Sequence, residues 1–286
     1  MMGLFNLIEP LKLVDGKLRR RNVTWASHYS LLFIDNPVGT GFSFTNDEKG
    51  YPKNEDDLGE QLFIFLQQFL EIFPELQKAP LFITGESYAG KYVPALGIQL
   101  HRHKGDGVTI NLRGMAIGNG LIDPLTMMHY SSLCQTLALE KSIIKHIKDQ
   151  KMVEAASNLT AIIAYVNKYS GVNIYHCLED PKTLDKACET YLERVENRQL
   201  IHVGNTKFTF DNALMYNKMF SDIMNTTKPF LEELLEHYGV MLYSGQLDIM
   251  VPYASSRNIY KALKWSRSEE YAEAPRQNIG KQSIEA

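Results

Sequence analysis

Leu81-Phe82-Ile83-Thr84-Gly85-Glu86-Ser87-Tyr88-Ala89-Gly90 reads as an apolar strand that runs through a turn of small residues into a helix. A sharp strand-to-helix turn leaves no room for side chains two positions to either side of its centre, and Gly85 and Ala89 occupy those positions around Ser87. Such a turn, a nucleophile elbow, lifts the Ser87 hydroxyl above the sheet. It also aims the first helical N–H groups, that of Tyr88 included, at an oxyanion formed beside it. The same pattern would serve a plain structural corner, so the flanks decide. A β-branched and aromatic run precedes Ser87 and a helix-compatible segment, Tyr88 to His101, follows it, which is the context a nucleophile turn requires.

On the amino-terminal side, the alternating segment Leu11 to Leu18 around Asp15-Gly16 predicts a hairpin or paired edge strands. Ser30-Leu31-Leu32-Phe33-Ile34-Asp35 predicts a buried core strand, ended by Asn36-Pro37. The loop Val38 to Thr45 that follows is rich in glycine and aromatics, a composition more common in functional loops than in connectors. Asn54 caps a predicted helix with Glu55, Asp56 and Asp57 in its electropositive first turn. Leu58, Leu62, Phe65, Leu66, Phe69 and Phe73 repeat along it as a core stripe, and Pro74 ends it.

On the carboxyl side, Val108 to Ile117 predicts the next strand, before the turn Gly118-Asn119-Gly120. The strand and helix alternation predicts an α/β fold with a mostly parallel, doubly wound sheet. From Asp123 to about Gln199 the pattern turns helical, polar and irregular, as an inserted cap would. The sheet pattern returns with a helix from Lys228 to His237 and a strand Val240 to Tyr243, leading to Asp248. An aspartate just past a late strand is where a hydrolase of this architecture holds its acid, although a turn-forming aspartate would look the same. The expected division is a discontinuous core of residues 1–122 and 200–270, a helical cap of residues 123–199 and a polar tail of residues 271–286.

The 286 residues carry a net charge of −3, with 44% hydrophobic and 22% charged side chains, which fits a globular fold. This balance excludes a nucleic-acid binder, because neutralising phosphates requires a basic face. Cys134, Cys177 and Cys188 are too few and too widely spaced for a zinc module, so no metal and no cofactor is expected. One disulfide with one orphan thiol is compatible with the count. Asn22, Asn158 and Asn225 head Asn-x-Thr acceptor triplets that suit a glycoprotein, whereas Met1 to Pro10 is too short for a signal peptide and no apolar run is long enough to span a membrane.

Four stretches together resemble the serine carboxypeptidases, nearest to the vitellogenic-like carboxypeptidases. They are Phe33-Ile34-Asp35-Asn36-Pro37-Val38-Gly39-Thr40-Gly41-Phe42-Ser43-Phe44, Gly85-Glu86-Ser87-Tyr88-Ala89-Gly90-Lys91-Tyr92-Val93-Pro94, Ile117-Gly118-Asn119-Gly120-Leu121-Ile122-Asp123-Pro124 and Tyr243-Ser244-Gly245-Gln246-Leu247-Asp248. The likeness covers roughly residues 3 to 270. It implies an α/β-hydrolase fold and removal of carboxyl-terminal residues from peptides. Ser87 is then the nucleophile, Asp248 the acid that orients a catalytic histidine, and the Tyr88 N–H one oxyanion donor. Glu86 would bind the substrate's terminal carboxylate, which requires a shared proton and therefore acidic pH, as in lysosomes or secretory granules.

The likeness also has departures. The family's Gly-Gly-Pro-Gly segment, with its second oxyanion donor, precedes the Gly-Leu-Phe found here at residues 3 to 5 and is not in the sequence. The family's second carboxylate-binding glutamate falls on Leu7, with Glu9 displaced by two. In this fold the histidine follows the acid, yet His28, His101, His103, His129, His146, His176, His202 and His237 all precede Asp248, and Ile249 stands in the histidine's place beside Met250-Val251-Pro252-Tyr253. The chain therefore reads as a serine carboxypeptidase truncated at both ends and inactive as given. Its parent is expected to enter the secretory pathway. A non-catalytic peptide-binding relative is the competing reading, and an esterase on the same fold a weaker third, because Glu86 would repel acidic substrates.

Overall fold

The computed structural model describes residues 10–14, 16–128, 139–178 and 187–275. Strands β1 (Leu11–Val14) and β2 (Lys17–Arg20) form the expected antiparallel hairpin, Leu11 opposite Arg20 and Val14 opposite Lys17. Helix α1 (Glu55–Ile72) starts where Asn54 Oδ1 accepts the Asp57 N–H at 2.8 Å and ends before Pro74. Its leucines Leu58, Leu62, Leu66 and Leu70 are buried at four-residue spacing. Phe65 packs against this leucine cluster and stacks on Phe69 at 6.0 Å, while Phe69 meets Phe73 at a tilt with centroids 4.8 Å apart, and Phe73 is 41% exposed. The expected apolar stripe thus divides into a leucine core and an aromatic border.

Strand β3 (Leu81–Glu86), helix α2 (Ala89–Arg102) and strand β4 (Leu112–Gly118) come next, followed by helices α3 (Pro124–Met128), α4 (Glu140–Lys148), α5 (Met152–Tyr169), α6 (Ala187–Leu192), α7 (Val195–Leu200) and α8 (Ala213–Met219). A 3-10 turn, Phe220–Met224, leads to α9 (Lys228–Leu235), β5 (Gly239–Tyr243), α10 (Tyr253–Ala262) and α11 (Ser268–Glu273). The helices α8, α10 and α11 have no counterpart in the sequence reading.

Strands β3, β4 and β5 make a parallel sheet in that order, with Ile83 beside Met115 and Met115 beside Val240. Because strand side chains alternate, Ile83, Met115, Ile117, Val240 and Leu242 share one face, where they pack with Val93, Ile98, Leu231, Leu234, Ile259 and Leu263 from α2, α9, α10 and the residue after it. Each such buried side chain contributes about 1.5–3 kcal/mol relative to exposure. Gly97 allows α2 to approach this closely, since a Cβ there would lie 2.9 Å from both Leu234 Cδ1 and Met115 Sδ. On the opposite face Phe82 and Met241 are 54% and 62% exposed.

The segment Ser30–Asp35, expected as a core strand, joins no ladder among the described residues. Leu32 is 44% exposed, and Ile34 is the segment's contribution to the core cluster around Leu58 and Leu62. Its apolar residues suit a strand, but a strand also needs a neighbouring edge to satisfy its backbone. Asp35 organises the glycine-aromatic loop instead. Its carboxylate accepts the Phe42 N–H at 3.0 Å and its backbone carbonyl the Ser43 hydroxyl at 2.6 Å. Gly41 (φ +62°) leaves room for that carboxylate. Phe42 packs edge-on against Phe208 at 5.2 Å, while Phe44 is 63% exposed, so the loop's aromatics are split between packing and solvent.

The helices between β4 and α9 build a second core of Ile143, Ile147, Ala155, Ala156, Ile162, Val166 and Met224, onto which Ile249 and Met250 pack. No described helix is long and apolar enough to cross a membrane. Cys177 and Cys188 are not joined to each other, and Cys134 lies outside the described residues.

Candidate active site

Ser87 sits between β3 and α2 with φ +60°, a left-handed backbone that a non-glycine residue adopts only when its surroundings impose it. Here the end of β4 imposes it. The Ser87 N–H donates to Gly118 O at 2.9 Å, and Ser87 O accepts the Leu121 N–H at 2.9 Å and the Gly90 N–H at 3.0 Å. The small residues read from the sequence are required by contact. A Cβ on Gly85 would stand less than 3.0 Å from the Ala89 methyl, and one on Gly90 would meet the Gly120 backbone inside the same limit.

The start of α2 carries a further adjustment. Pro94 has no N–H to give to Gly90 O, the acceptor one turn back. The Thr227 hydroxyl donates to Gly90 O at 3.0 Å instead, so a buried residue from the α9 end supplies the missing bond. Tyr88 opens the helix, where an N–H has no intrahelical acceptor. Its ring turns inward, stacking on Tyr92 at 5.0 Å with a buried hydroxyl, and burial followed by the Glu55 charge raises its pKa.

Strands β3 and β5 run in the same direction, so Ser87, just past β3, and Asp248, past β5, follow the same carboxyl end of the sheet. Asp248 is half-buried and accepts the Val251 N–H at 3.0 Å. Burial raises its pKa, while the N–H groups of Val251 and Met250 and the Asn119 side chain oppose the rise. Glu86 is also raised, first by partial burial and then by the Asp248 charge. Tyr175 is raised by burial and by Asp248 as well. Its segment docks on the Asp248 loop through Cys177 N–H to Leu247 O at 2.9 Å and Ile249 N–H to Ile174 O at 2.9 Å.

Asn119, read from the sequence as one residue of a turn, joins the two halves of this site. It is 6% exposed, with φ +42°. Its N–H donates to Tyr243 O at 2.9 Å, its Oδ1 accepts the Gly245 N–H at 3.0 Å and its Nδ2 donates to Val251 O at 3.2 Å. The signal was present in Gly118-Asn119-Gly120, since asparagine between glycines suits a left-handed turn, but its side-chain partners lie more than a hundred residues away in the chain.

Among the described residues no histidine forms a hydrogen bond or ion pair with Asp248, which accepts the Val251 N–H. His101 and His237 stack at 4.3 Å at the far end of α2, and His103 pairs with Asp106. His176 lies in the segment docked beside the Asp248 loop, with Nδ1 buried and lacking a hydrogen-bond partner among the described residues. His129, Leu7 and Glu9 lie outside the described residues. Among the described residues no cluster of three or more histidine, cysteine or carboxylate side chains is arranged to hold a metal ion.

The sequence profile of the serine carboxypeptidases matches residues 1–285. The chain is 36% identical over 301 residues to the venom serine carboxypeptidase of Apis mellifera, 37% over 299 residues to the human protein named "Probable serine carboxypeptidase CPVL", and 32% over 304 residues to the vitellogenic carboxypeptidase of Aedes aegypti. These alignments take in 96%, 96% and 97% of this chain, which spans 64%, 63% and 64% of the relatives' lengths. The fold is that of Kex1, a prohormone-processing carboxypeptidase of Saccharomyces cerevisiae, with a TM-score of 0.75 at 24% identity, over 93% of this chain and 66% of that one. That likeness gives the α/β-hydrolase fold. With the sequence match over nearly its whole length, the chain belongs to the serine carboxypeptidase family.

Proposed function

We propose that Ser87, Asp248, Glu86 and the Tyr88 N–H are the parts of a serine-type carboxypeptidase site for peptide carboxyl termini. The observation that carries this reading is the left-handed backbone of Ser87 at the same carboxyl end of the sheet that leads to Asp248. The Ser87 oxygen attacks the carbonyl carbon of the last peptide bond, and the Tyr88 N–H takes part of the developing negative charge. Collapse breaks the C–N bond, releases the terminal residue with a protonated amine and leaves an ester on Ser87, which water hydrolyses. Glu86 holds the terminal carboxylate through a shared proton, and its raised pKa supports that role at acid pH. The helical segment 123–199 acts as the cap, supported by the packing of Ile249 and Met250 on its core. The protein enters the secretory pathway, supported by the three acceptor triplets.

No described histidine hydrogen-bonds to Asp248, whose carboxylate accepts the Val251 N–H, and this supports the reading that no base in the chain takes the Ser87 proton. This favours, for the 286-residue chain by itself, binding of peptide termini with little turnover. Triad deletions in a serine protease cost on the order of a millionfold in kcat. The test is release of the terminal residue from N-blocked dipeptides at pH 4 to 7 beside Ser87→Ala. No Ser87-dependent release, with dipeptide binding weakened by Glu86→Gln, is the expected result. Release at an ordinary enzymatic rate would overturn the second statement, and loss of all dipeptide binding would overturn the first.

A further inference from the structure

Next to the nucleophile turn the fold buries three ionisable groups from three separate elements. Lys91, one helical turn past Ser87 on α2, is fully buried, and its Nζ donates to Asp222 O at 3.0 Å and Asn225 O at 2.6 Å. The ammonium thus ties the 3-10 turn at Phe220–Met224 to the nucleophile helix. Asp222 is 4% exposed. Its Oδ1 accepts the Asn225 amide at 2.7 Å, while Oδ2 has no hydrogen-bond donor among the described residues. Glu55, the first residue of α1, is 5% exposed, and neither of its carboxyl oxygens has a hydrogen-bond partner among the described residues. Helix α1 runs alongside α2, since a Cβ on Gly59 would lie 2.5 Å from Ala95 O and Phe63 meets His103 at 5.2 Å. This register brings Glu55, one turn before Gly59, toward Lys91, one turn before Ala95. The buried Tyr88 hydroxyl, one residue from Ser87, is also without a hydrogen-bond partner among the described residues.

One cation and two carboxyls in a dry site do not balance if all are ionised, and an uncompensated buried charge is strongly destabilising. We propose that Glu55, Lys91 and Asp222 are a positioning unit for the nucleophile turn, and that its ion balance is completed by one proton carried on Glu55. Asp222 keeps the charge, because its Oδ1 already accepts a hydrogen bond and it is the carboxylate that acts most on Lys91. Glu55 has no such bond. Protonated, it gains a donor in a cluster where the oxygens lacking partners are Asp222 Oδ2 and the Tyr88 hydroxyl.

The electrostatics agree with that geometry. Burial raises the Glu55 pKa from 4.5 to about 8, Lys91 opposing and Asp222 and Asp56 adding to the rise. Lys91 is lowered by burial and held up by Asp222, Glu55 and Asp123, while Tyr88 and Tyr92 are raised and stay neutral. Since the folded pKa lies above the unfolded value, the stabilisation is complete below about 4.5 and is lost as pH rises through about 8. The nucleophile helix is therefore held firmly in acid and loosened above neutrality. The inference rests on the proposed function only for the role of the serine being positioned, because its test reads stability and protonation and uses no substrate.

The experiment compares the full chain with Glu55→Gln, by thermal unfolding between pH 4.5 and 9, hydrogen exchange of residues 86–92, and infrared spectroscopy of protonated carboxyls. The expected wild-type result is a melting temperature and residue 86–92 protection that fall together as pH rises, with a protonated-carboxyl band present at pH 7. Glu55→Gln is expected to lose that band, to show a flatter pH profile and to melt above wild type at pH 8.5. Equal pH dependence in both proteins, or a band that survives Glu55→Gln, would overturn the proposal. If Glu55→Gln does not fold, Asp222→Asn decides. Removing the competing charge lets Glu55 ionise beside Lys91, so the pH-dependent loss should move to lower pH, and an unmoved profile would refute the proton assignment.

Discussion

Gly85→Ala probes the nucleophile turn without touching any polar group. The backbone of Gly85 lies in β3 and is not left-handed, so alanine suits its conformation and the effect is steric alone. The added methyl would stand less than 3.0 Å from Ala89 Cβ and 3.2 Å from Val93 Cγ2. Neither neighbour yields easily, since Ala89 begins α2 and Val93 is 2% exposed in the core. Overpacking of this kind costs about 1–3 kcal/mol. Ala89→Gly removes the closer obstacle and by itself costs up to about 1 kcal/mol in helix propensity. In the double variant the Val93 contact remains and the Ala89 contact is gone. The two changes should therefore couple favourably by about 1–2 kcal/mol, within the range seen for residues in contact. Urea unfolding of the four proteins measures this. Stabilities that add to within about 0.5 kcal/mol would show that the closeness of β3 and α2 is not what demands glycine at position 85.

Asn119→Ala removes the acceptor of the Gly245 N–H and the donor to Val251 O, and should destabilise by roughly 2–6 kcal/mol in thermal unfolding, allowing about 1–3 kcal/mol for each buried group left unpaired. Asn119→Gly loses the same bonds but accepts φ +42° without strain, so it should be the milder change; equal losses would mean that the backbone conformation is not under stress. Asp248→Asn keeps an acceptor for the Val251 N–H while removing the charge that helps raise Glu86, so the Glu86 titration, followed by carbon NMR, should move to lower pH. An unmoved midpoint would separate the two carboxyls and dismantle the site.

The elements that the sequence displayed are those whose cues are local. Asn54 and Pro74 bracket α1, the turn around Ser87 shows its small residues, and the apolar runs of β3, β4 and β5 stand out from their flanks. Ser30–Asp35 misled because apolar composition specifies extension and burial, whereas a ladder depends on a partner elsewhere. Helix α10 was missed because its buried face consists largely of Ser255, Ser256 and Ile259, a weak apolar signal. Glu55 is the sharpest case. As a first-turn carboxylate it fits the helix dipole of α1 in solvent, and only the tertiary placement of Lys91 and Asp222 shows that it is buried. Asn119, Thr227 and Lys91 share that dependence, since each finds its partner across the fold.

The sheet also dictates an order of assembly during synthesis. Strands β3 and β4 are joined through one helix, whereas β5 pairs with β4 from roughly 125 residues further along the chain. At about 5–20 residues per second, a ribosome leaves the second edge of β4 open for on the order of 6–25 seconds. Closing a loop of that length costs only a few RT more than closing a short one, so the delay weighs on rate and exposure more than on equilibrium stability. Helix α9, strand β5 and Asp248 then emerge within one short stretch. The nucleophile turn can therefore form on the nascent chain well before the acid arrives, and it acquires its outer brace, the Thr227 hydroxyl on Gly90 O, only in that final step.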